Sequence, residues 1–161
     1  MADLPSPVPG QTGEILSALG GLAARLAAER GRSPAHLAAL RQCLSALDRI
    51  AEAITVSQDE LLEYVRLCEE FQRRVLELAQ SPALDRHFAE AGIGAFYAEA
   101  VRALAVWRPS NLAGLLLMDQ RRRYQVFRAI AEGQGFAAES LVREHGLFHA
   151  LPETADEPAR G

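Results

Sequence analysis

Three helix starts are written into residues 33–82, and they constrain the fold more than any other feature. Ser33-Pro34 and Ser81-Pro82 each put a hydroxyl at a helix boundary and a proline at the first helical position, where its missing N–H costs nothing. Ser57-Gln58-Asp59-Glu60 has the capping-box pattern, in which serine and glutamate side chains satisfy each other's backbone donors. Beyond the punctuation itself the two Ser-Pro segments share no pattern, so they are not an internal repeat.

Apolar residues follow these starts at three- and four-residue steps, the spacing of one helix face. Leu37, Leu40, Leu44, Leu47, Ala51 and Ile54 form a narrow seam on a helix predicted to run from Pro34 to about Ile54. The capping box opens a helix to about Gln80. Leu61, Val65, Cys68, Val75 and Ala79 line one side of it, and Tyr64, Leu67, Phe71 and Leu78 widen that face. Its polar side offers Glu69/Arg73 and Glu70/Arg74 as i,i+4 pairs.

Upstream, Thr12 caps a first helix to about Glu29, with Ile15, Leu19, Leu22 and Leu26 at three- and four-residue steps, and Gly31 stops it. Downstream, a short helix from Pro82 ends near Gly92, and a fifth spans about Ala95 to Trp107 before Pro109. A sixth runs from about Asn111 to Glu132, and a last short one from about Ala137 to His145. Short connections favour antiparallel neighbours, so the expected architecture is an all-α helical bundle of six to seven helices. Residues 12–151 form its single domain, preceded by a flexible Pro-rich lead-in (1–11) and followed by a disordered acidic tail (152–161).

Composition supports this reading. The 161 residues include 29 Ala and 23 Leu, and all 17 cations are Arg, which argues for helices over a sandwich, barrel or doubly wound sheet. The N-terminus has no signal-peptide pattern, and the longest apolar run, Leu112 to Met118, is far short of the ~20 residues a bilayer span needs. A cytoplasmic location is expected. Cys43 and Cys68 lie on separate helices without CxxC spacing and read as inert core thiols.

Catalytic patterns are missing from the sequence. His145 and His149 have i,i+4 spacing, but Gly146 stands between them and no HExxH motif occurs. His87 reads as a helix-surface residue, and no Glu-x-x-His, phosphate loop or nucleophile elbow is present. No catalytic residue, metal site or cofactor is expected, and the balance leans against an enzyme.

Charge is unevenly spread. Residues 101–130 hold six arginines against one acid, Asp119, a local net of +5 that leaves −9 on the rest. The simplest account packs this basic helix beside the acidic third helix (Asp59, Glu60, Glu63, Glu69, Glu70). Three consecutive arginines, Arg121, Arg122 and Arg123, sweep too much of the helix to share a face. Asp119 and Arg123 fall on or beside the apolar stripe and are expected to pair at a partly buried junction.

The leading expectation from these features is a non-enzymatic helical accessory subunit, assembly factor or adaptor. It would dock Arg121, Arg122, Arg123 and Arg128 onto an acidic or phosphate-bearing partner, with Trp107 and neighbouring apolar residues as the anchor and Arg108 among the partner- or anion-binding residues. Tyr97 and Tyr124 are the other aromatics expected at such a surface, and a homo-oligomer is compatible with leftover apolar stripes. An alternative is a nucleic-acid-binding accessory subunit using the same arginines. The spacing of Ile130, Ala131, Gly135, Phe136 and Leu141 resembles the helix-turn-helix skeleton, although the following helix carries two acids and one arginine. A second alternative is a helical enzyme or ligand-binding protein whose site is made by scattered side chains.

Overall fold

The computed structural model describes residues 11–31, 33–106 and 110–145, which form seven helices with no strand among them. In chain order these are α1 (Gln11–Arg30), α2 (Pro34–Ala51), α3 (Gln58–Ala79), α4 (Pro82–Glu90), α5 (Ile93–Val106), α6 (Leu112–Ala131) and α7 (Gly135–His145). The chain is thus the all-α bundle that its punctuation predicts. The expected lead-in and acidic tail lie outside the described residues, apart from Gln11, which already belongs to α1.

Two of the three written starts work through side chains. Ser57 Oγ accepts from the Glu60 N–H (3.2 Å) while Glu60 Oε2 accepts from the Ser57 N–H (2.8 Å), a complete capping box. The Ser81 hydroxyl accepts from the Leu84 N–H at 3.3 Å. Ser33 has the extended cap backbone but makes no side-chain cap bond. At the other end α2 stops at Ala51, short of the expected Ile54. There the Ala53 N–H reaches only three residues back, to the Ile50 carbonyl. The β-branched run Ile54-Thr55-Val56 then disfavours another turn. Ile54 is 95% exposed, so the seam ends at Ala51, three residues earlier than its periodicity implies.

Four helices make a closed ring: α1 packs on α3, α3 on α2, α2 on α6, and α6 back on α1. Around it, α7 covers α1 and α6, α5 covers α3, and α4 bridges α1 and α5. The α1–α7 contact is a close backbone approach. Ala23, Ala24, Ala27 and Ala28 of α1 are at most 1% exposed, as is Ala138 of α7. A Cβ on Gly21 would stand 2.6 Å from Arg143 Cγ. Gly31 is tighter still, since a Cβ there would strike the Leu78 carbonyl at the end of α3.

The helix-turn-helix resemblance at residues 130–141 resolves into an ordinary corner. Gly133 turns the chain with φ 73°, and α7 then lies against α1. Its Phe136 ring sits under the Arg25 guanidinium at 4.1 Å, and Glu139 pairs with Arg25 at 3.6 Å. Among the described residues no helix is long and apolar enough to cross a membrane.

Candidate functional site

Across the ring, α3 and α6 stand diagonally and are joined by side chains rather than by close backbone packing. Large polar residues fill that diagonal. On α3, Tyr64 occupies the buried stripe (1% exposed); on α6, Gln120 is 2% exposed. The Tyr64 hydroxyl donates to Asp119 Oδ2 at 2.7 Å and accepts from an Arg123 N–H at 3.2 Å. Arg123 and Asp119, one helical turn apart, are ion-paired at 2.8 Å with side chains only 10% and 16% exposed. The guanidinium lies 5.8 Å from the centres of both the Tyr64 and Phe71 rings.

Gln120 extends the network to α2. Its amide nitrogen donates to the Leu44 carbonyl and to Asp48 Oδ1, each at 2.9 Å, and its oxygen accepts from Arg123 at 3.3 Å. The Tyr124 hydroxyl donates to the other oxygen of Asp48. A buried ion pair is stable only when its remaining donors and acceptors find partners, and here three helices supply them.

The electrostatics follow the burial. Desolvation opposes the charge on Arg123, yet the Asp119 carboxylate and the hydrogen bond to Tyr64 hold its pKa well above the ordinary value, so it remains a guanidinium. Burial pushes the Tyr64 and Tyr97 hydroxyls well above the usual phenol range. The hydrogen bond to Asp48, with burial, raises Tyr124 to about 12. Burial likewise lifts Cys43 and takes Cys68 to about 12, so both thiols stay protonated at neutral pH. Cys43 donates to the Leu67 carbonyl at 3.3 Å, which ties α2 to α3. Gln72, two turns beyond Tyr64 on α3, is 8% exposed and its Nε2 has no hydrogen-bond partner.

The expected pairing of Asp119 with Arg123 is present. The expected row of docking arginines is dispersed around α6 instead: Arg123 faces inward, Arg122 is half-buried, and Arg121 and Arg128 are exposed. Arg128 stands 4.0 Å from Glu132. Trp107 and Arg108 lie outside the described residues. Tyr97 is buried rather than at a surface, and Tyr124 is half-buried against Asp48. The acids of α3 do not neutralise α6, because Glu63 pairs with Arg66, and Glu70 with both Arg73 and Arg74. Glu70 thereby takes the Arg73 partner expected for Glu69.

Sequence reasoning singled out neither Gln72 nor Gln120 and treated Tyr64 as core. One signal was available. Both glutamines interrupt apolar stripes, Gln72 four residues after Cys68 and Gln120 four after Leu116. Among the described residues no group of three or more His, Cys, Asp or Glu is placed to hold a metal ion.

Residues 11–147 match the FCD domain family, and the chain belongs to that family. FCD domains are helical and serve as the C-terminal effector-binding domains of GntR-family transcription regulators, where they bind small molecules. This overturns the expectation of an accessory subunit whose arginine-rich helix docks on a protein partner. The error came from reading the charge of residues 121–128 as a surface, when the most consequential of those arginines is committed to the interior. No curated protein matches the sequence.

Proposed function

We propose that this chain, as an FCD domain, is the effector-sensing part of a GntR-type transcription regulator, and that its effector binds at the polar diagonal between α3 and α6. One observation carries the placement: a charged, hydrogen-bonded cluster of Tyr64, Asp119, Gln120 and Arg123 joins helices of a largely apolar ring. Recognition sites for small molecules combine apolar walls with a few convergent polar groups, and this is where such groups converge here. Because α2, α3 and α6 all contribute, a molecule that exchanges hydrogen bonds with the cluster would alter how these helices are held together. That is the differential contact a sensor requires. Service in a regulator also implies a cytoplasmic setting, DNA as the ultimate partner of the whole protein, and action as a dimer.

The test is native mass spectrometry of the protein as isolated from its host, followed by thermal-shift measurement against a library of small metabolites. A small-molecule adduct, or a compound that raises the melting temperature of wild type but not of Tyr64→Phe, supports the reading. A protein that carries no adduct and responds to no compound contradicts it.

A further inference from the structure

We propose that Gln72, two helical turns along α3 from Tyr64 of the Tyr64–Asp119–Arg123 cluster, is the hydrogen-bond donor of a ligand subsite, and that it receives an uncharged carbonyl oxygen. The inference rests on the effector-binding reading above and adds the chemical class of the ligand. Gln72 is 8% exposed, and its amide nitrogen is the buried side-chain polar atom without a partner among the described residues. The contrast with Gln120 is direct: that amide bonds a backbone carbonyl, a carboxylate and a guanidinium. Buried amide donors are nearly always paired, and a leucine or methionine would fill the same space without carrying two unmet N–H groups. The side chain therefore makes physical sense when an acceptor from outside the chain completes it.

Its position points the same way. On a helix, residues four apart share a face, so Tyr64, Cys68 and Gln72 form a line along α3. Tyr64 is bonded into the cluster, Cys68 is buried between, and Gln72 ends the line. The charge of the cluster selects among acceptors. Its guanidinium is already matched by Asp119, and Asp48 adds a second carboxylate. Among the described residues a carboxylate ligand would find no uncommitted buried cation, and an unpaired buried anion is strongly disfavoured. An amide, ester, lactone or ketone oxygen carries no such penalty.

The experiment compares the full chain with its Gln72→Leu and Gln72→Met variants. Each is titrated with matched pairs of short amides and their carboxylates, lactones and their hydroxy acids, and esters and their acids. Melting temperature and calorimetric affinity are read. The variants should be at least as stable as wild type without ligand, since the orphaned donor is gone. A neutral carbonyl compound should bind wild type, bind both variants about tenfold more weakly or worse, and outcompete its own acid. Binding that the variants leave unchanged, tighter binding of the acid, or a ligand-free loss of stability in both variants overturns this inference alone. A panel that shifts neither wild type nor variant overturns the effector reading with it.

Discussion

The α1–α7 seam and the α3–α6 diagonal bury their helices by opposite means. At the seam, glycine and alanine let two backbones meet, the charged groups stay at its rim as the Arg25–Glu29 and Arg25–Glu139 pairs, and the buried Ser17 hydroxyl donates to the Arg143 carbonyl. Across the diagonal the backbones stand apart, and tyrosine, glutamine and arginine span the gap with an ion pair kept inside. Close-packed small residues leave nothing to rearrange, because every atom already touches a neighbour. A polar span is held by a few directional bonds, each of which a ligand group can replace. The seam is thus the fixed part of the domain and the diagonal the part that can respond.

The largest expected effect breaks the diagonal. Asp119→Ala leaves Arg123 charged and buried without its partner, and should destabilise the domain by about 3–5 kcal/mol in urea unfolding. The double variant Asp119→Ala/Arg123→Met should recover most of that loss, because the cost lies in the orphaned charge rather than in the missing pair. A double variant no more stable than the single would mean that the pair itself holds the helices together.

A second perturbation tests the close-packed regions. Gly31→Ala forces a Cβ into the Leu78 carbonyl, a backbone neighbour that cannot rotate away, and should cost about 1–3 kcal/mol. Gly21→Ala would bring a Cβ to 2.6 Å from Arg143 Cγ and 3.2 Å from the Glu139 carbonyl, so the facing helix must shift, while the helix propensity gained by alanine offsets about 1 kcal/mol of that crowding. Chemical denaturation should therefore show a loss at both glycines, the smaller one at Gly21. Equal losses would mean that the α1–α7 seam tolerates as little as the α1–α3 junction.

Alkaline titration addresses the diagonal and its surroundings through tyrosine. All three tyrosines of the chain have raised pKa values, Tyr124 to about 12, while an unfolded tyrosine ionises near about 10. The folded state then holds more protons than the unfolded state above about pH 10, so stability falls as pH rises from there through the folded values. Unfolding at about pH 11 should release tyrosinate absorbance, and Tyr124→Phe should flatten the stability slope between about pH 10 and 12. A slope unchanged in that variant would remove the Asp48 hydrogen bond from the account.

The scaffold was only partly readable. Helix boundaries follow from local rules: capping residues, proline at helix starts and glycine at stops. The seam does not, because the steps of three and four along α1 fall on Ile15, Leu19, Leu22 and Leu26, whereas Ile15 and Leu22 are exposed and Leu16 with the four alanines is buried. The Asp119–Arg123 pair was also within reach, because i,i+4 spacing beside an apolar stripe forces two charges to meet. Tyr64, Asp48 and Gln120 were not. Their partners come from other helices, 55, 76 and 72 residues away in the case of Tyr64–Asp119, Gln120–Leu44 and Gln120–Asp48. Periodicity reports which face a residue occupies but not which helix lies opposite. A tyrosine or glutamine on a core stripe therefore reads as filler until the packing is known.

The smallest expected effect is the sharpest check on that distinction, because it uses two residues of one type two positions apart. Arg121 and Arg123 belong to the same run on α6, and only the i,i+4 spacing to Asp119 tells them apart in the sequence. Arg121 is exposed, whereas Arg123 is enclosed by Asp119, Tyr64 and Gln120. Arg121→Ala should change stability by no more than about 0.5 kcal/mol, as expected for a solvated side chain away from caps and core. It should also leave the affinity for any compound found in the thermal-shift screen unchanged. Arg123→Ala should lose both, since it strips Asp119 of its counter-charge inside the bundle. If Arg121→Ala instead weakened ligand binding while Arg123→Ala did not, recognition would sit on the outer face of α6, and the diagonal would be scaffold like the seam.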